Sequence, residues 1–131
     1  MKNIYHYIFY KFYRYLLTTP NTASALNGAT IYLCITIFFY LLTIDILFKK
    51  VYKLYTLSNN LFMIIGVLVS IVTFYINYFY FKKNNLYVKI DQRFSKENKS
   101  QKLLGNIFVF LLFIGSFISF MLFGYLINKN L

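Results

Sequence analysis

The chain has 131 residues, of which 60% are hydrophobic and 13% are charged, and its formal net charge is +11. A soluble domain of this length has too little interior to hide so many apolar side chains, so the composition excludes an ordinary soluble domain and favours a bilayer. Ten of the fourteen Lys and Arg residues fall in 49–53 and 82–102, beside long apolar segments. We therefore expect their anionic partner to be lipid headgroups and not nucleic acid.

The N-terminal segment 4–17, IYHYIFYKFYRYLL, is apolar but too short and too charged to cross a membrane. At helical spacing its polar side chains fall on one side (Asn3, His6, Tyr10 and Arg14) and its apolar ones on the other (Ile4, Ile8, Phe12 and Leu16). We predict an amphipathic helix lying in the membrane interface, with Lys11 and Arg14 at the lipid headgroups. A signal peptide cleaved near Ala23–Ala25 is the alternative, although Lys11 and Arg14 would interrupt its apolar region.

Three segments have the roughly 20 apolar residues that a helix needs to cross about 30 Å of hydrocarbon. They are 30–48, 61–81 and 103–127, and Asp45 carries the only charge within them. Backbone groups in lipid must be hydrogen-bonded within the segment, and apolar and polar residues do not alternate, so we predict helices rather than barrel strands. The predicted fold class is all-α, with three transmembrane helices, and the first spanning helix begins early, near Pro20.

Asp45 lies three residues from the end of the first span, and Lys49 follows one helical turn later. This spacing predicts an ion pair at the interface. Contact with a partner subunit and handling of protons or ions are the alternatives, because an ionisable group inside a membrane is often functional.

Small and weakly polar residues fall on one face of the second span, at Gly66, Ser70, Thr73 and Asn77. Gly115 and Ser119 form a similar pair in the third span. Such residues allow membrane helices to approach closely, so we predict that both faces are helix-packing surfaces. A polar path for an ion or solute is the alternative, but hydroxyls and one amide make a poor path.

The segment 82–102, KKNNLYVKIDQRFSKENKSQK, is predicted to be a basic cytoplasmic loop that contains a short amphipathic helix. Tyr87, Ile90 and Phe94 would share its apolar face and rest on the inner leaflet. Lys82 and Lys83 would meet the lipid headgroups.

The orientation follows from the distribution of basic residues beside the spans. Three spans place ten Lys and Arg residues on the side of the N-terminus and four on the other side. The N-terminus is therefore predicted to be cytoplasmic, in the inner membrane of a bacterium.

The sequence offers little that could support catalysis. His6 is the only histidine and has no Cys, Asp or Glu nearby with which to hold a metal ion. Asp91 and Glu97 are predicted to lie on a solvated loop, and no nucleophile stands beside a base. We predict neither enzyme activity nor a metal or cofactor.

The segment Ile76 to Asn106, INYFYFKKNNLYVKIDQRFSKENKSQKLLGN, resembles the middle of small, uncharacterised membrane proteins of Bacteroidota, as does the tyrosine-rich segment 4–17. The resemblance implies an inner-membrane protein of about three helices and implies no activity and no site residues.

The sequence therefore predicts a non-catalytic accessory or structural subunit that binds other membrane proteins, or a second copy of itself, through its small-residue faces. A holin-like or toxin-like pore former is one alternative, because the chain is small and basic and has an aromatic N-terminal helix. A small transporter or channel subunit is the other.

Overall fold

A computed structural model of the chain describes residues 2–17, 22–52 and 59–129, and within these ranges it contains helices and no strand. The helices are α1 (Lys2–Leu16), α2 (Thr22–Tyr52), α3 (Asn59–Lys82), α4 (Leu86–Phe94) and α5 (Lys99–Lys129), and a 3₁₀ turn (Lys83–Asn85) joins α3 to α4. Among the described residues, three helices are long and apolar enough to cross a membrane. The all-α fold with three spanning helices is thus confirmed, and each predicted span lies inside α2, α3 or α5.

α2 and α5 are longer than a bilayer requires. Each has 31 residues, and 1.5 Å of rise per residue gives a length of about 46 Å, against a hydrocarbon layer of about 30 Å. α2 begins at Thr22, ahead of its apolar segment, as predicted, while Pro20 itself lies outside the described residues. Both helices therefore extend beyond the hydrocarbon.

α2 is the central helix, and α1, α3 and α5 all pack against it, whereas α3 and α5 barely touch each other in the described part of the chain. α1 runs alongside the first half of α2 in the opposite direction, since Leu16 approaches Gly28 and Phe12 stacks on Tyr32. We call the region formed by α1, α4, the first turns of α2 and α5 and the last turns of α3 the basic end, and the other end of the bundle the opposite end.

The predicted N-terminal helix is present. The prediction that only its apolar side would be covered is wrong. Residues 8–13 of α1 are all buried, including Tyr10 from its polar side and the charged Lys11. The reason is that α4 and the start of α5 cover the side that was expected to face water or headgroups. A tyrosine counts as polar by its hydroxyl group, yet most of its surface is an apolar ring that other rings can cover.

The 82–102 segment does contain a short helix, α4, but this helix packs on protein and not on a lipid surface. Asn84 and Asn85 adopt the left-handed conformation, with φ of 54° and 53°, which asparagine tolerates better than most residues. This turn directs α4 back toward α1. Ile90 is buried there, and Tyr87 and Phe94 make edge-on ring contacts with Tyr13 and Tyr7.

Candidate functional site

Aromatic rings hold α1 against the end of α3. Phe9 and Phe81 are both fully buried and stack with a centroid separation of 3.7 Å. Tyr5 stacks on the other side of this contact at 5.6 Å from Phe81, and His6 Nε2 lies 2.8 Å from the Tyr80 hydroxyl. Stacked and tilted ring pairs add to the apolar burial, so the contact between α1 and α3 is a specific one.

A buried ion pair connects α1 to the segment before α5. Lys11 Nζ lies 2.7 Å from Glu97 Oε2, and the two side chains are only 5% and 12% exposed. The same ammonium lies 5.1 Å and 5.4 Å from the centroids of the Tyr7 and Tyr10 rings, at distances typical of cation–π contacts. The prediction that Lys11 contacts lipid headgroups is therefore wrong, because its ammonium group pairs with Glu97 inside the protein.

A second ion pair joins α1 to α4. Arg14 Nε lies 2.5 Å from Asp91 Oδ1, and Arg14 Nη2 donates to Asp91 Oδ2 at 3.0 Å, so the guanidinium binds the carboxylate with two parallel contacts. Arg14 is still 42% exposed, and a headgroup can reach it. Asp91 and Glu97 were predicted to lie on a solvated loop, and this prediction is wrong for both.

The pKa values of two tyrosines of α1 reflect their partial removal from water. Burial raises the pKa of Tyr5 from 10.0 to about 12. Burial also raises the pKa of Tyr7 far above its ordinary value, and the hydrogen bond to the Glu97 carboxylate raises it further. Both effects favour the neutral phenol over the phenolate, since a low-dielectric site disfavours charge.

Gly105 lies where α5 passes close to α1. A Cβ atom at this position would overlap the Tyr7 hydroxyl and lie 2.7 Å from Cε of Lys11. A larger residue here would therefore displace the ends of these two side chains. Gly124 provides a contrast at the opposite end of α5, where a Cβ would meet nothing within 4 Å.

The small-residue face of α3 lies against α2 and α1 within the chain. A Cβ on Gly66 would touch the Phe38 ring at 3.7 Å. Asn77 is buried, donates to Thr73 O at 2.8 Å, lies 3.8 Å from Cys34 Sγ and accepts a hydrogen bond from the Tyr5 hydroxyl. Ser70 is half-buried and donates to Gly66 O at 2.8 Å. This face therefore packs against other helices of the same chain, with Asn77 buried and Gly66, Ser70 and Thr73 half-buried.

The third span also packs against α2 through small residues. Tyr40 donates to Leu112 O at 2.9 Å, and a Cβ on Gly115 would lie 3.4 Å from the Tyr40 oxygen. Ser116 is fully buried, and Ser119 is half-buried. Sequence reasoning missed Tyr40. The available signal was a tyrosine in the middle of a span, where its hydroxyl needs a hydrogen-bond partner.

The remaining predicted site residues have simpler surroundings. Asp45 Oδ2 lies 3.0 Å from Lys49 Nζ one turn further along α2, the pairing that the spacing predicts. Lys82 and Lys83 are exposed, and Lys82 Nζ lies 3.3 Å from the Tyr78 hydroxyl. Both lysines can therefore meet headgroups.

A cleft of about 880 Å³ lies between α1 and α5 at the basic end. One part of its wall is polar, with Arg14, Glu97, Lys102 and Asn106. The other part is apolar, with Phe12, Tyr32, Phe110, Phe113 and Ile114. Sequence reasoning did not find this cleft, because it depends on the packing of α1 against α5.

Within the described residues no group of His, Cys, Asp and Glu side chains could hold a metal ion. Comparison with family models, curated proteins and solved structures found no match to this chain. The resemblance to membrane proteins of Bacteroidota therefore stays a prediction.

Proposed function

We propose that this small membrane protein is a non-catalytic accessory subunit of a bacterial inner membrane that binds another membrane protein or a second copy of itself. One observation carries the proposal: among the described residues, α3 and α5 both pack on α2 and barely meet each other. Three helices can form three pairwise contacts, and here only two of these are well developed. The side of the bundle between α3 and α5 is open to a further helix.

The residues on the outer surfaces of these helices fit this role. Large apolar side chains are exposed along both helices, for example Val67 and Leu68 on α3 and Leu111 and Leu122 on α5. The small-residue faces that were predicted to bind a partner are used within the chain, so a partner would meet these larger side chains. Packing of such surfaces in lipid depends on close fit, because lipid tails are as apolar as leucine.

The surroundings of the acidic residues disfavour catalysis. The chain has three acids in all, and each makes an ion pair: Asp45 with Lys49, Asp91 with Arg14 and Glu97 with Lys11. A carboxylate held in this way is a poor general base, because its protonation would break the pair. This leaves the chain without a free acid on which acid–base chemistry could depend.

The pore-forming and transport alternatives have less support. The hydroxyl groups of Thr30, Thr36 and Thr43 donate to carbonyl oxygens four residues earlier on α2, at 2.8–2.9 Å. Ser70 and Ser116 bond within their own helices in the same manner. Hydroxyls used in this way do not line a water-filled path.

The orientation with a cytoplasmic N-terminus is supported by the ten basic residues on the side of the basic end. In a Cys34→Ser background, we expect a membrane-impermeant maleimide to label Lys129→Cys in intact bacterial cells whose outer membrane has been permeabilised. Lys83→Cys should react only after the inner membrane is opened. The reverse pattern would contradict the orientation.

Site-directed photo-crosslinking in native membranes tests the accessory role. A photoreactive residue at Ile71 or Leu122, both exposed, should give one discrete adduct whose partner mass spectrometry identifies. The control is the same residue at the buried Ala29, where we expect only internal cross-links. The proposal fails if the outer positions give lipid adducts alone and the purified chain is monomeric in mild detergent.

A further inference from the structure

We propose that the cleft between α1 and α5 is a binding site for one anionic phospholipid, with its phosphate at Lys102 and an acyl chain along the apolar wall. This goes beyond a general attraction between basic residues and a membrane surface, because it assigns a defined place to a single lipid. The proposal depends on the chain spanning a bilayer and does not depend on the accessory role.

The charge at the mouth of the cleft favours an anion. Lys11 and Glu97 neutralise each other, and Asp91 is held by the Arg14 guanidinium. The third acid, Asp45, pairs with Lys49 on the last turns of α2. Lys102 lines the cleft and is exposed, so no aspartate or glutamate of the chain is left to pair with its ammonium group. A phosphate from outside the chain would supply that charge.

Polar groups beside Lys102 extend the same site. Asn106 also lines the cleft and is exposed one helical turn after Lys102, and residues four apart on a helix lie on the same side. Its amide can donate to a phosphate or an ester oxygen. Arg14 stands across the cleft and is partly exposed despite its bond to Asp91. Basic groups beside a spanning helix at the cytoplasmic surface attract anionic headgroups.

The chemistry of the apolar wall suits an acyl chain. From Ile107 to Ile114 this wall follows seven residues of α5, which is about 10 Å at 1.5 Å per residue. One leaflet of hydrocarbon is about 15 Å thick, so the wall covers the part of an acyl chain nearest the headgroup. Phe110 is exposed beside the cleft, so this side is open and a lipid can enter it sideways from the bilayer.

Native mass spectrometry of the purified full-length chain tests the site directly. The delipidated protein is titrated with phosphatidylglycerol or with phosphatidylcholine of the same acyl chains. We expect phosphatidylglycerol to bind preferentially with a stoichiometry of one. Lys102→Gln should reduce this preference about fivefold, which corresponds to the attraction of one basic residue to an anionic membrane surface. Lys99→Gln is the matched control, because Lys99 is also an exposed lysine on the same helix and does not line the cleft.

A second pair of variants tests the apolar wall. Ile107→Trp adds bulk within the cleft and should weaken binding of both lipids, whereas Ile118→Trp adds the same bulk at an exposed site on α5 outside the cleft. Glycerol 3-phosphate, which has the headgroup phosphate and no chains, should not compete at millimolar concentration.

Equal loss of preference in Lys102→Gln and Lys99→Gln would overturn the proposal, because it would mean general surface attraction. Effective competition by glycerol phosphate would also overturn it, since the site would then bind phosphate and not lipid. The measurement uses the chain without any partner protein, so its outcome is separate from that of the cross-linking experiment.

Discussion

The two ends of the bundle contain similar chemical groups and use them differently. At the basic end, the ion pair of Lys11 and Glu97 joins residues 86 positions apart and is almost hidden. At the opposite end, Lys49 and Asp45 lie one turn apart on α2 and are 32% and 18% exposed. The first pair fixes how α1 sits against the rest of the fold, while the second affects only its own helix.

The difference follows from the solvent at each level of the bundle. In hydrocarbon, lipid tails compete with side chains for every apolar contact, so spanning helices gain little from being apolar. Aromatic rings that leave water together gain more, because their apolar surface is removed from water. The basic end contains almost all of the described buried large side chains, which indicates that the arrangement of this fold is determined there.

Removal of a buried and of an exposed aromatic ring should give the largest difference in the free energy of unfolding. Phe81→Ala removes a fully buried ring stacked on Phe9 and should lower the free energy of unfolding by about 4 kcal/mol. Phe79→Ala removes a ring that is 63% exposed and should change it by less than about 1 kcal/mol. The measurement is SDS titration in mixed micelles, followed by near-UV circular dichroism of the tyrosines. Equal effects would contradict a core at the basic end.

Removal of one partner of an ion pair should give the next largest difference in the free energy of unfolding. Lys11→Met leaves the Glu97 carboxylate buried without its cation and should cost about 3 kcal/mol by the same titration. Lys49→Met should cost no more than about 1 kcal/mol, because its pair is local and partly exposed. The double variant Lys11→Met/Glu97→Gln should be more stable than Lys11→Met alone. If it is less stable, then the buried charge is not the cause of the loss.

Two of the three glycines of α5, Gly105 and Gly124, allow a comparison in which each variant adds a single methyl group. Gly105→Ala forces Tyr7 and Lys11 to move and should destabilise the fold by about 1–2 kcal/mol. Gly124→Ala meets open space and should be neutral or slightly stabilising, since alanine favours a helix by about 0.5–1 kcal/mol. A tolerated alanine at position 105 would mean that α1 and α5 are less closely packed than described.

A smaller change in the free energy of unfolding is expected at high pH. Burial raises the pKa of Tyr5 to about 12 in the folded chain, whereas its ordinary value of 10.0 applies in the unfolded chain. Between these values the folded state binds more protons, so its free energy of unfolding falls as the pH rises, with no such change below pH 9. Tyr5→Phe should reduce this slope, and Tyr15→Phe, which removes an exposed hydroxyl from the same helix, is the control. An unchanged slope in Tyr5→Phe would contradict the burial of the phenol.

The helices could be predicted from the sequence, but the way in which α1 packs could not. Hydropathy located the three spans because length and polarity decide membrane insertion locally. The spacing of Asp45 and Lys49 predicted their contact for the same reason. Lys11 and Glu97 are far apart in sequence, and no local pattern indicates that two charged residues will meet in a dry interior. The cleft was missed because it is formed by two helices whose contact is equally non-local.

The distance along the chain between Lys11 and Glu97 has a consequence for biosynthesis. The 86 residues that separate them take about 4–17 s to translate at roughly 5–20 residues per second. During this interval α1 has already left the ribosome, while the α4 surface that covers it has not been made. A nascent α1 therefore needs a temporary neighbour for its rings, and the bilayer surface can serve in that role until α4 arrives.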